Sequence, residues 1–174
     1  MQFSNSTIDV EQLAPVQVAA FTRLEPAYKK VIFYENAIFS IVLIGLLSGV
    51  YFRKGYDEFQ EYWLIPAVGL GLFILFIFWF RPRAFRKKSY QLRERDIVYR
   101  SGLWWQSETV IPFVRVQHSA VTQGPLGRIF GFSSLKLFTA GGSKSDLVIP
   151  GLAPDNAAKL EQFISQKAGL DAEE

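Results

Sequence analysis

Hydrophobic and polar positions divide the chain into two halves of different period. Val31 to Phe52 and Trp63 to Phe80 are apolar runs that hold one charged residue between them, Glu35. At a rise of 1.5 Å per residue they would measure about 33 and 27 Å as helices, close to the roughly 30 Å of hydrocarbon a span must cross. Both are predicted to be transmembrane, and the short link from Arg53 to Glu61 makes them antiparallel neighbours. From Ser89 the apolar positions alternate: Tyr90/Leu92, Ile97/Tyr99, Val114/Val116, Leu135/Leu137 and Leu147/Ile149. Turn signals separate these pairs, which predicts about seven short antiparallel strands. Pro154, Asp155 and the spaced Ala157, Leu160, Phe163, Ile164 and Ala168 predict a closing amphipathic helix. Such a sheet is expected to curl into a partly open barrel, the helix covering an open end. The resulting division is an N-terminal segment 1–30, a hairpin 31–80 with spans 31–52 and 63–80, a basic connector 81–88, an α+β domain 89–168 and an acidic tail 169–174.

Charge orients the hairpin. Arg23, Lys29 and Lys30 precede the first span, and Arg81, Arg83, Arg86, Lys87 and Lys88 follow the second, whereas Arg53 and Lys54 in the link are offset by Asp57, Glu58 and Glu61. The positive-inside rule therefore places both termini in the cytoplasm. About thirty mostly polar residues precede the first run and no small-x-small site follows it, so it is expected to stay as an anchor. Gly45 and Gly49 on the first span, with Ala67 and Gly71 on the second, lie at matching depths and are the expected helix seam. Tyr34 and Trp79 would sit near the headgroups. With no cysteine and a single histidine in 174 residues, disulfide frameworks, thiolate zinc sites and sites needing several imidazoles are excluded. No metal or other cofactor is expected.

The basic cluster from Arg81 to Lys88 first serves topology. Each cation near an anionic leaflet also contributes about 1 kcal/mol of attraction, which makes the cluster a candidate lipid surface. Adjacent Trp104 and Trp105 would point to opposite faces of a strand, so that one reaches the bilayer or a partner. His118 shares the parity of Val114 and Val116 and is expected inside as a hydrogen-bonded structural residue. Arg115 and Gln117 share the other face and, with Arg128, form a candidate partner or ligand patch, unless Glu108 or Asp146 pairs with them. Gly124-Pro125 and Gly141-Gly142 read as turns. Glu35, about a turn from Lys29 and Lys30, is expected at the interface. Leu13, Val16, Ala20, Phe21 and Leu24 have a loose helical spacing.

Five strings carry a family resemblance: Arg100-Ser-Gly-Leu-Trp-Trp105, Ile111-Pro-Phe-Val-Arg-Val-Gln-His118, Gln123-Gly-Pro-Leu-Gly-Arg-Ile-Phe-Gly131, Thr139-Ala-Gly-Gly142 and Ile149-Pro-Gly-Leu152. In this order after two spans, the chain resembles the YdbS-like membrane-flanked family of bacterial PH-domain proteins, over about Val31 to Lys167. The resemblance implies a PH-like domain at the cytoplasmic face of a bacterial inner membrane, a neighbouring multi-span relative as partner, and a role in envelope stress or resistance to membrane-active peptides. It brings no catalytic motif, and the residues offer no nucleophile-base pair, so an enzyme is not expected. Nor is nucleic-acid binding, since the membrane accounts for the cations. The leading expectation is a binding or assembly module at the membrane surface, contacting lipids and another membrane protein or a second copy. The alternative is recognition or handling of an anionic lipid.

Overall fold

The computed structural model describes residues 20–53, 62–140 and 146–169. The link between the spans from position 54, the Gly141-Gly142 turn, most of the N-terminal segment and the acidic tail lie outside these residues.

Two long helices come first, α1 (Lys29–Arg53) and α2 (Leu64–Arg86). Both are long and apolar enough to cross a membrane. Most of their large apolar side chains are exposed, as befits surfaces that lipid would cover. Helix α2 does not stop at the end of the apolar run. It continues through the basic stretch to Arg86 with Pro82 inside it, so the expected connector 81–88 is mostly the last turns of this helix. Proline removes one backbone donor, while cations in a final turn complement the helix dipole. Lys87 and Lys88 donate their backbone N–H groups to the carbonyls of Ala84 and Phe85 and close the end.

The glycines do not form the seam. Gly45, Gly49 and Gly71 are exposed, and a Cβ added at any of them would meet nothing within 4 Å. The helices instead lose exposure at positions that include Asn36, Ser40, Leu43 and Leu47 on α1 and Ala67, Leu70, Ile74 and Ile77 on α2. Ordinary side chains fill this stripe, so the close backbone approach that glycine permits is not used.

The remaining strands form two antiparallel sheets rather than the single curled sheet expected. The first is β1 (Thr22–Arg23), β2 (Ser89–Leu92), β3 (Asp96–Ser101) and β4 (Ser107–Pro112), in that order. The second is β5 (Val116–Thr122), β6 (Ser133–Thr139) and β7 (Leu147–Leu152). Pro112 and a 3-10 turn at Phe113–Arg115 separate β4 from β5. Strand β1 departs from the sequence expectation: where the spacing through Phe21 and Leu24 suggests a loose helix, the described part is extended and pairs with β2. A short helix α3 (Pro125–Phe130) replaces the expected turn, with Pro125 at its start. Helix α4 (Pro154–Ala168) packs across β5, β6 and the 3-10 turn.

The core joins helices to sheets. Ile97, Phe113, Leu135, Leu137, Ile149 and Ile164 are buried at its centre, and Ile32 of α1, Phe85 of α2 and Leu24 belong to the same cluster. Tyr28 stacks on Phe85 at 5.1 Å and meets the edge of Phe132 at 5.5 Å. Gly151, at φ 69°, faces them: a Cβ there would lie 2.8 Å from Tyr28 Cγ and 3.2 Å from Phe85 Cζ. Only glycine satisfies both the backbone and the contact.

The parity of β5 differs from the sequence expectation. A register shift between Val116 and His118 puts two residues against one on β6. His118 is therefore exposed and tilts against Phe138 at 5.6 Å, Val114 is exposed, and Ser119 is buried instead. Ser119 Oγ donates to Glu161 Oε1 at 2.6 Å, Ser165 Oγ donates to the same oxygen at 2.9 Å, and this trio fastens α4 to β5.

Candidate membrane-surface site

The basic cluster is divided between two tasks. Arg81 donates Nη2 to Glu35 Oε2 at 2.6 Å and Nη1 to Asn36 Oδ1, tying α2 to α1. Asn36 is fully buried, Ser40 Oγ donates to its carbonyl at 2.7 Å, and its Nδ2 has no partner among the described residues. Arg83 folds back along α2, donating to the Trp79 carbonyl at 3.0 Å with its guanidinium 4.3 Å from the Trp79 ring centre. These two cations serve the hairpin itself.

Arg86, Lys87 and Lys88 do something else. They line a cavity of about 300 Å³ together with Arg23, Arg100 and Ser89. The sheet register explains the meeting: Arg23 lies opposite Ser89, Ser89 opposite Arg100, and Arg100 opposite Glu108. Directly opposed residues share a face, so β1 and β3 present their arginines beside the end of α2. Arg100 is held from two sides, by Glu108 Oε1 at 2.7 Å from its Nε and by the Phe21 ring 4.1 Å from its Cζ. Among the described residues, Arg23, Arg86, Lys87 and Lys88 make no ion pair. Burial, and then repulsion by Arg81, holds the Lys88 ammonium below its usual range, with Glu35 opposing.

Two apolar projections grip the hairpin. Trp104 and Trp105 lie in the loop between β3 and β4, not on a strand, so their strand parity never applied. Trp104 packs on Phe76 and Phe80 of α2 at 6.3 and 5.2 Å, while Trp105 is 85% exposed. The loop turns at Gly102, whose φ is 109° and where a Cβ would lie 1.8 Å from the Trp105 carbonyl oxygen. On the other flank, Phe130 of α3 stacks on Tyr34 of α1 at 5.0 Å, and neighbouring Ile129 is exposed. A cleft of about 730 Å³ lies there, with Ile38, Phe39 and Val42 of α1 on one wall and Lys136, Ser134 and Thr122 on the other.

Arg115, Gln117 and Arg128 are all exposed but are not gathered into one patch. Arg115 immediately precedes β5 and Arg128 follows that strand, which is about 20 Å long at roughly 3.3 Å per residue. The carboxylates considered for them are engaged elsewhere, Glu108 with Arg100 and Asp146 with Thr139. No group of three or more His, Asp or Glu side chains is placed to hold a metal among the described residues.

A family model for the bacterial PH domain matches residues 39–168. The chain belongs to that family. It is also similar to the UPF0699 transmembrane protein YdbS of Bacillus subtilis (strain 168), with 28% identity over 149 residues, 84% of this chain and 91% of the relative. No solved structure gives a significant match. The resemblance read from the five strings is thus upheld, and the chain is a membrane protein with a PH module of the YdbS-like kind. The register that brings Arg23 and Arg100 to the end of α2 had no signal in the sequence, because strand pairing partners are set by turns and packing.

Proposed function

We propose that this protein is a two-span component of the bacterial inner membrane with both termini in the cytoplasm, and that it holds its PH-like domain against the leaflet as a binding and assembly module. One observation carries the reading: α2 runs as a single helix from its apolar span to Phe85 inside the domain core. A domain so joined has a fixed height and tilt, so what it binds must lie in or beside the membrane. The partner in this reading is another membrane protein, a multi-span relative or a second copy. A role in envelope stress or resistance to membrane-active peptides is the physiological expectation. Selection of a partner is the contribution of the domain in this reading.

Two measurements test this. Reporter fusions at Lys54 and after Glu174 should report opposite compartments; agreement between them excludes the hairpin. A photo-crosslinker at exposed Ile129, beside the hairpin, should, in native membranes, capture an integral membrane protein. Replacing Lys87-Lys88 by a long Gly/Ser linker, combined with Ile32→Ala, Phe85→Ala and Trp104→Ala, removes both the joint and the packing that hold the domain on the helices and should abolish that product. Capture that survives the linker unchanged would mean that fixed placement is not what the module uses.

A further inference from the structure

We propose that the cavity at the end of α2 is an anion site that takes the phosphate ester of an anionic phospholipid from the surrounding leaflet. This deepens the reading above and rests on α1 and α2 being spans.

Five cations, Arg23, Arg86, Lys87, Lys88 and Arg100, come from three separate elements and the turn after α2 to line one cavity of about 300 Å³. Among the described residues, Arg100 alone of the five has a carboxylate partner, Glu108. Like charges gathered from distant parts of the chain repel one another, which disfavours the arrangement unless a counter-charge enters. Topology alone does not need it. Arg81 and Arg83 already flank the span, and Arg23 and Arg100 are separated from it in sequence and brought in by strand register.

Position then selects the source. Arg86 lies six residues beyond Phe80, about 9 Å at 1.5 Å per residue, which is headgroup height if Phe80 ends the hydrocarbon. Gly102 and Gln106 close the cavity on the side of the loop whose Trp104 packs on Phe76 and Phe80. Tryptophan at this level prefers the interface. A lipid whose tails lie beside α2 can therefore reach the cavity with its phosphate. Free inorganic phosphate shares the chemistry but needs neither the tryptophan loop nor the adjacent span.

The test uses the full-length protein in nanodiscs of phosphatidylcholine with or without phosphatidylglycerol. Retained phosphatidylglycerol is counted by native mass spectrometry after release from the disc. The variant Arg23→Gln/Lys87→Gln alters two exposed cations of the cavity. Arg95→Gln/Lys159→Gln removes equal charge elsewhere on the domain. The cavity variant should weaken phosphatidylglycerol retention roughly thirtyfold, from two contacts of about 1 kcal/mol each, while the control variant retains it like the wild type. Equal loss in both variants would reduce the effect to diffuse attraction and overturn the site. If delipidated protein binds inorganic phosphate, and phosphate displaces the lipid with the same dependence on Arg23 and Lys87, the lipid is overturned as the source. Incorporation into the discs, scored separately by gel filtration, reports on the spans, so failure of the anchor is distinguishable from failure of the site.

Discussion

At the scale of single residues, Gly151 and Asp146 define what the domain tolerates. Gly151 combines a left-handed backbone with contact against Tyr28 and Phe85. Gly151→Ala must strain φ and push apart the stack that joins α1, α2 and β7. A loss of about 1–2 kcal/mol is expected from the backbone alone, seen as a lower melting temperature in detergent. Asp146 is simpler chemistry: the Thr139 hydroxyl, and then the Thr139 backbone N–H, each donate to Oδ2 at 2.7 Å and hold the carboxyl below its usual range. A depressed folded pKa means a contribution present above the ordinary carboxylate range and lost as pH falls through the depressed value. Thr139→Val should raise the Asp146 pKa toward its ordinary value in a carboxyl NMR titration; an unchanged value would show that the backbone donor suffices. Burial parity was legible at Leu135, Leu137, Leu147 and Ile149, within the stretch where β6 and β7 pair residue for residue. It failed at His118 because one extra residue after Val116 turns every later side chain over, and a bulge leaves no mark in hydropathy.

At the scale of elements, the continuity of α2 matters most. Its apolar run was plain from composition, but its end was not: the run stops at Phe80, whereas burial of Phe85 keeps the helix going. Tertiary packing outweighed local signals here. The glycine seam failed for a related reason, since spacing places small residues on one stripe without saying which way the stripe faces. Phe85→Ala should cost about 3–5 kcal/mol, as large buried aromatics do, and should free the domain from the hairpin. Limited proteolysis checks this: cleavage between Arg86 and Ser89 should accelerate in Phe85→Ala but not in Arg83→Gln, whose side chain only covers α2.

At the scale of the whole molecule, the proposed placement lets the two projections that flank the hairpin set the tilt of the domain on the leaflet. Trp104 and Trp105 stand at one end of the β3–β4 ladder, at the Ser101–Ser107 pair, and Pro112 stands at the other, opposite Asp96. With six residues per strand, and so five steps between the end pairs, the ladder separates these ends by about 16 Å, at roughly 3.3 Å per residue. If the Trp104 contacts with Phe76 and Phe80 fix the near end at headgroup height and the ladder runs along the membrane normal, Val114, just beyond Pro112, stands in water, beyond the reach of the interface. The chain contains no cysteine, so single cysteines are clean labels. Placed at 105, 129 and 114 in reconstituted protein, they should divide: 105 and 129 slow to react with a membrane-impermeant maleimide and quenched by lipid-borne nitroxide, 114 fast and unquenched. A linker in place of Lys87-Lys88 combined with Ile32→Ala, Phe85→Ala and Trp104→Ala should make all three alike, because the joint and these contacts together set the orientation. Equal reactivity at the three positions in the unmodified chain would mean that the domain stands clear of the bilayer, with its tryptophans serving only to clamp α2.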